Sequence, residues 1–153
     1  MSLGGGGGGG AMQQIQEQMQ ALEQEKQAIE NEIGNIRDEQ GEIDEAIEAI
    51  GTLDTGSTVQ VPLGGDAYVR AEIQDIDEVF VTLGGGYAAE RDSDGAIDSL
   101  EQKKETLDDR IDELEAEIDA VEQETEDLEA KAQQAQQQQM QQMQQQMQGQ
   151  DDE

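Results

Sequence analysis

Positions spaced alternately three and four apart, most of them apolar, run through both ends of this chain and decide what it can become. The first series reads Met12, Ile15, Met19, Leu22, Lys26, Ile29, Ile33, Ile36, Gln40, Ile43, Ile47 and Ile50. With Met12 at heptad position a, every d position is Ile or Leu. The second series is Ile97, Leu100, Lys104, Leu107, Ile111, Leu114, Ile118, Val121, Thr125, Leu128, Ala132 and Ala135. A mean spacing of about 3.5 residues keeps one narrow stripe on each helix, which is the pattern of a coiled coil. Gly34 and Gly41 weaken the first helix locally but lie off its stripe.

Composition matters here because it removes the alternative of an ordinary core. Lys and Arg total 8 against 38 Asp and Glu, a formal charge of −30, and only 2% of residues are aromatic. Such a chain is either disordered or a coiled coil, in which apolar groups fill only a seam. The sustained period favours the coiled coil. The acidity excludes nucleic acid and anionic lipid as partners, and the eight basic residues are too scattered to form a patch. Dense acid with little Lys suits a salt-rich cytoplasm, where screening reduces self-repulsion. No apolar run is long enough to span a membrane, and the start, "MSLGGGGGGGAM", lacks the regions of a secretory signal, so a cytoplasmic location is expected. Without Cys or His there is no disulfide, no thiolate chemistry and no nucleophile–base pair.

Between the two series lies a segment of another kind, which holds all three aromatics: Tyr68, Phe80 and Tyr87. In "STVQVPL" the alternation puts Val59, Val61 and Leu63 on one face; in "AYVRAEI" it puts Val69, Ala71 and Ile73 together; in "EVFVTL" it groups Val79, Val81 and Leu83. Gly64 and Gly65, with Asp66, read as one hairpin turn, and Gly84, Gly85 and Gly86 as a second. Pro62 confines the first strand to a sheet edge or a strand end.

The expected fold class is therefore α+β, mainly α: a long antiparallel two-helix coiled coil with two β-hairpins inserted between the helices. Ile50 would lie near Ile97, and Met12 near Ala135. The expected segments are a disordered Gly-rich leader (1–11), an N-terminal helix (12–50), a β-hairpin oligomerisation segment (51–94), a C-terminal helix (95–132) and a Gln/Met-rich tail, frayed or disordered (133–153). Four short strands cannot form a stable core alone and leave edges unpaired. Phe80 also points away from Val79 and Val81, so both faces of its strand are apolar. Closure with other subunits into an inter-subunit β-barrel resolves both problems, through Val59, Val61, Leu63, Tyr68, Val69, Ile73, Val79, Phe80, Val81, Leu83 and Tyr87.

The chain ends form a second candidate site. Residues 11–22 carry one charge, Glu17, and residues 132–150 carry none. Both stretches are rich in Met and Gln. Met12, Ile15, Met19, Leu22, Met140, Met143 and Met147 are the expected contacts for a non-native apolar chain, because Met is unbranched and polarisable. The competing reading is low-complexity filler at the end of a passive spacer.

Three motifs imitate active sites. "GGGYAAERD" has neither the Gly-Lys-Ser/Thr nor the G-x-G-x-x-G pattern of a nucleotide loop. "DTGS", Asp54–Ser57, matches the tripeptide of aspartic proteases, but the β segment is too short for that fold, so a polar linker is expected. "ERDSDGAIDSLE", Glu90–Glu101, nearly fits a calcium loop, yet lacks an incoming helix; Asp92, Ser93 or Asp94 as a helix cap is the simpler reading. No catalytic residue, metal site or cofactor is expected.

The stretch "VQVPLGGDAYVRAEIQDIDEVFVTLGGGYAAERD", Val59–Asp92, resembles the α-type subunit of prefoldin, and the flanking seams agree with that family over about residues 12–132. The resemblance implies a chaperone without ATPase activity. It further implies a hexamer of two α-type and four β-type prefoldin subunits joined through β-barrels. Unfolded client proteins would be held at the coiled-coil tips and passed to a group II chaperonin. The acidity resembles that of halophilic archaeal proteins.

Overall fold

The computed structural model describes residues 6–151, with side chains from Gly10 to Gly149. Its elements run α1 (Gly6–Thr52), β1 (Thr58–Gly64), β2 (Ala67–Glu72), β3 (Val79–Gly84), β4 (Tyr87–Arg91) and α2 (Ser93–Asp151). The expected leader 1–11 falls partly outside the described residues; from Gly6 onward it belongs to α1. Glycine has little helix propensity of its own, so this turn extends a helix already nucleated downstream. Likewise the tail from 133 continues α2 to Asp151, since Gln is a good helix former.

The chain divides into two compact units. In Gly34–Asp112, α1 and α2 run antiparallel, with Asp44 opposite Lys104 at 2.8 Å and Glu39 opposite Lys103 at 3.6 Å. Ile36, Ile43 and Ile111 are buried on the seam. In the unit made by the segments ending at Ile33 and starting at Glu113, Lys26 meets Glu122 at 3.1 Å, and Leu22, Ile29, Ile33, Leu114, Val121 and Leu128 are buried. Both pairings follow the register in which Ile50 lies near Ile97.

The polar seam positions are matched rather than random. Gln40, buried at an a position, donates through Nε2 to the Lys104 carbonyl at 3.2 Å and to Asp108 Oδ1 at 2.6 Å. Lys104 is itself a polar interruption of the other helix's seam. Lys26 and Thr125 likewise line one depression with Glu122. In this register each polar intrusion lies against polar groups of the other helix, as polar seam residues that favour an alignment do.

The strands form two separate antiparallel pairs, β1 with β2 and β3 with β4. In the first, Val59 faces Ala71 and Val61 faces Val69; in the second, Val81 faces Ala89 and Phe80 faces Glu90. Both hairpins close over two residues with positive φ, Gly65 (59°) and Asp66 (64°) in one, Gly85 (62°) and Gly86 (81°) in the other. These are the φ signs of a type I′ turn, whose twist matches that of paired strands.

Two junctions tie the hairpins to the helices. Asp92 caps α2: its Oδ1 accepts from the Gly95 N–H at 2.7 Å, and its carbonyl accepts from the Ala96 N–H at 2.8 Å. At the end of α1, Asp54–Ser57 is a tight turn. The Ser57 N–H donates to the Asp54 carbonyl, and the Asp54 N–H donates to Ser57 Oγ, each at 3.0 Å.

Glycines that look alike in sequence should respond differently to replacement. An added Cβ meets nothing at Gly34 or Gly41, whereas at Gly95 it would sit 2.7 Å from Asp92 Oδ1. Gly34→Ala and Gly41→Ala are expected to stabilise by about 0.5–1 kcal/mol each. Gly95→Ala is expected to give no gain, because the same methyl displaces the cap. Helix melting by circular dichroism at fixed chain and salt concentration measures all three.

The two seam lysines set an alkaline limit. The Glu122 hydrogen bond and charge hold the Lys26 ammonium above its usual range, and the Asp44 hydrogen bond does the same for Lys104. A raised lysine contributes stability that is fully present below the unfolded value of 10.5 and is lost as pH rises through the folded value. The melting temperature should therefore hold through neutral pH and fall above about pH 10.5. Lys26→Met and Lys104→Met should flatten that fall; an equally steep fall in both variants would count against these pairs.

Candidate functional site

Two surfaces combine exposed apolar side chains with main chain or helix faces that this chain itself leaves uncovered. The first is the pair of hairpins. Strand alternation sends Val81 inward, at 6% exposure, and Phe80 outward, at 70%. Val59, Ala71, Ile73 and Val79 are half-buried on the inward side. Val61, Leu63, Tyr68, Val69, Leu83 and Tyr87 are exposed. The expected oligomerisation residues thus fall into two groups: Val59, Ile73, Val79 and Val81 are buried or half-buried within this chain, and the others, with Phe80, are exposed.

Among the described residues the two hairpins do not pair with each other. Each therefore presents two strand edges with unpaired N–H and C=O groups, beside exposed aromatic rings. The hairpins are nevertheless held in place. The Gly56 N–H donates to the Ile73 carbonyl at 2.8 Å, and the Ile73 N–H donates to the Ser57 carbonyl at 2.9 Å. Thr55 Oγ1 accepts from the Ile76 N–H at 3.1 Å, in the loop between the hairpins. Asp75 orders that loop by accepting from the Asp77 N–H at 2.9 Å. Asp54–Ser57 is thus a clamp, and its role as a clamp was not legible in the sequence, which marked it only as a polar linker. Glu90 lies on β4, so a strand stands where a calcium loop requires its incoming helix.

A groove of about 320 Å³ runs between the end of β3 and the start of α2, lined by Thr82, Leu83, Gly84, Ser99, Gln102, Lys103 and Thr106. Sequence reasoning missed it. The only signal was Ser99, Gln102 and Thr106 at helical spacing beside the seam.

The second surface is the terminal stretch of α2. Continuing the seam beyond Ala135 by threes and fours leads to Gln139, Gln142 and Gln146. Met140, Met143 and Met147 each lie one residue further on, rotated about 100° from the seam. They are 66%, 65% and 71% exposed. On α1, by contrast, Met12, Ile15 and Met19 are half-buried on the seam and Leu22 is buried. Leu22 is therefore packed within its own helix pair rather than offered to a client.

Comparison with known proteins identifies the architecture. The sequence model of the family described as Prefoldin subunit matches residues 15–138. The chain belongs to the prefoldin family. Prefoldin is a non-enzymatic chaperone family. A prefoldin subunit alpha from the halophilic archaeon Natronomonas pharaonis is 79% identical over 105 residues, covering 69% of this chain and 70% of that one. The prefoldin subunit alpha of Haloarcula marismortui is 77% identical over 70 residues, 46% of each chain. The matched span is thus about half the length of several of these curated relatives. Among solved structures, the cryo-EM structure of filamentous PFD from Methanocaldococcus jannaschii aligns with a TM-score of 0.52 at 27% identity, covering 78% of this chain and 96% of that one. The crystal structure of the prefoldin beta subunit from Thermococcus strain KS-1 aligns with a TM-score of 0.52 at 20% identity, over 81% of this chain and 90% of that one, and shares the fold. Met140, Met143 and Met147 lie beyond the span that the prefoldin model matches. No helix among the described residues is long and apolar enough to cross a membrane.

The two faces of β3 predict opposite outcomes for adjacent residues. Val81→Ala should destabilise the isolated chain by about 1–3 kcal/mol, through lost burial and the cavity left behind. Phe80→Ala removes far more side chain yet should leave the isolated chain nearly unchanged and weaken self- or partner-association instead. Thermal melting paired with light scattering separates the two.

Proposed function

We propose that this chain is the α-type subunit of a cytoplasmic, ATP-independent chaperone that holds non-native polypeptides at its coiled-coil tips and delivers them to a group II chaperonin. Assembly runs through the hairpins, with β-type prefoldin subunits, as a hexamer of two α-type and four β-type chains closed by inter-subunit β-barrels. Family membership and the relatives named subunit alpha support this reading. So do the unpaired hairpin edges and the outward Phe80, Tyr68 and Tyr87, which need a partner to cover them.

One observation carries client capture in this chain: the Met140–Met143–Met147 stripe is apolar, exposed and turned off the seam, so its own coil does not use it. It lies within an uncharged run on an otherwise acidic helix, where an apolar segment approaches without burying charge. Flexible thioethers adapt to many shapes, as a holder of varied clients requires. Met12, Ile15 and Met19 contribute where the seam loosens toward the start of α1.

The test combines this chain with a β-type partner in molar salt, measures the mass of the complex, and follows aggregation of a denatured client by light scattering. The complete complex is expected to suppress aggregation. The triple variant Met140→Gln, Met143→Gln, Met147→Gln should lose most of that suppression with helicity and complex mass unchanged. Suppression that survives the triple variant, and also survives removal of residues 1–22 and 132–153, would instead mark the arms as passive spacers.

A further inference from the structure

Among the described residues the same stripe is the most oxidisable surface. The sequence contains no Cys, Trp or His, so its six methionines are the side chains that peroxide attacks first. They are not equivalent. Met12 and Met19 are half-buried on the seam of α1, whereas Met140, Met143 and Met147 are about two-thirds exposed, at 66%, 65% and 71%. Oxidation of a thioether follows its exposure to the oxidant.

We infer that Met140, Met143 and Met147 form a reversible oxidation site at which a hydroperoxide converts the apolar stripe into a polar one and releases bound chains. The inference rests on the capture reading above. In the reaction, a sulfur lone pair attacks the terminal oxygen of the hydroperoxide. The S–O bond forms as the O–O bond breaks. The departing oxygen takes up the hydroxyl proton as water or an alcohol. Sulfur is oxidised by two electrons and the peroxide is reduced by two. The sulfoxide is a strong dipole on a side chain that had none, and an apolar segment no longer sheds water by resting on it.

The position of the stripe makes such a change local. Lying one residue off the seam, the three sulfurs take no part in the pairing of α1 with α2, and they stand far along the chain from the hairpins. Oxidation should therefore alter grip without altering assembly. Methionine sulfoxide is also returned to methionine by dedicated reductases, so the loss is recoverable.

The experiment treats the assembled complex with hydrogen peroxide and maps oxidised peptides by mass spectrometry over time. Met140, Met143 and Met147 are expected to oxidise several-fold faster than Met12 and Met19. Client holding should fall several-fold in parallel, with helicity and complex mass unchanged, and sulfoxide reductase should restore it. The variant Met140→Leu, Met143→Leu, Met147→Leu is read against its own untreated level, whatever that level is, and should lose none of it after the same treatment. Equal oxidation of all the mapped methionines, or equal loss of holding in the leucine variant, overturns the inference while leaving client capture intact. A complex that holds no client before treatment overturns the capture reading, and the switch with it; the peptide map still reports whether the three sulfurs are the preferred targets.

Discussion

Everything in this molecule depends on the interhelical seam. A chain with a formal charge of −30 has few places to bury apolar surface continuously, and among the described residues nearly all the buried hydrophobic side chains are seam residues of α1 or α2. The stripe is only as wide as the a and d positions, so most acids remain in solvent, where their self-repulsion is reduced by salt. Uniform apolar seams slide easily. Here sliding is opposed by polar intrusions that answer one another: Gln40 reaches Lys104 and Asp108, and Lys26 reaches Glu122. A shift by one heptad would set Ile97 or Ile111 where Lys104 now stands and would break the Gln40–Asp108 hydrogen bond.

Register then dictates what happens at the hairpin end. With Asp44 opposite Lys104, the end of α1 and the start of α2 come together, and the chain between them must leave and return over a short distance. Hairpins meet this demand, and each junction is fixed by its own short-range chemistry. Asp92 starts α2 by satisfying a free N–H, and Thr55 with Ser57 anchors both the exit of β2 and the loop beyond it. The anchored hairpins turn one face inward, with Val81 buried and Val59, Ile73 and Val79 half-buried. Phe80, Tyr68 and the free edges are then presented in a fixed arrangement, which limits the entropy lost when a neighbouring strand is added.

Much of this was legible in the sequence because it is periodic. The 3-4 spacing gave the helices and their pairing, the 2-residue alternation gave the strands, and paired glycines gave both turns. What was not legible depends on side chains meeting across the fold. Alternation groups Val79 with Val81 but does not say which face of β3 turns inward. Val61 and Val69 share a face with half-buried Val59 and Ala71, yet stay exposed, so alternation alone does not give burial. Leu22 carries the same seam signal as Met19 and is buried where Met19 is only half so, because the seam tightens away from the start of α1. The clamp role of Thr55 rests on a single hydrogen bond to a residue far along the chain, and no local pattern encodes it.

The Met stripe follows from the same geometry by exclusion. Beyond Ala135 the seam spacing leads to Gln139, Gln142 and Gln146, so the sequence stops placing apolar residues on the stripe that faces α1. Gln keeps the helix without adding charge. Apolar residues reappear one position away, at Met140, Met143 and Met147, where the coil cannot absorb them. Mere drift toward low complexity would scatter methionines around the helix. Their restriction to one face, off the seam and within an uncharged run, is what the proposed capture of an apolar client requires.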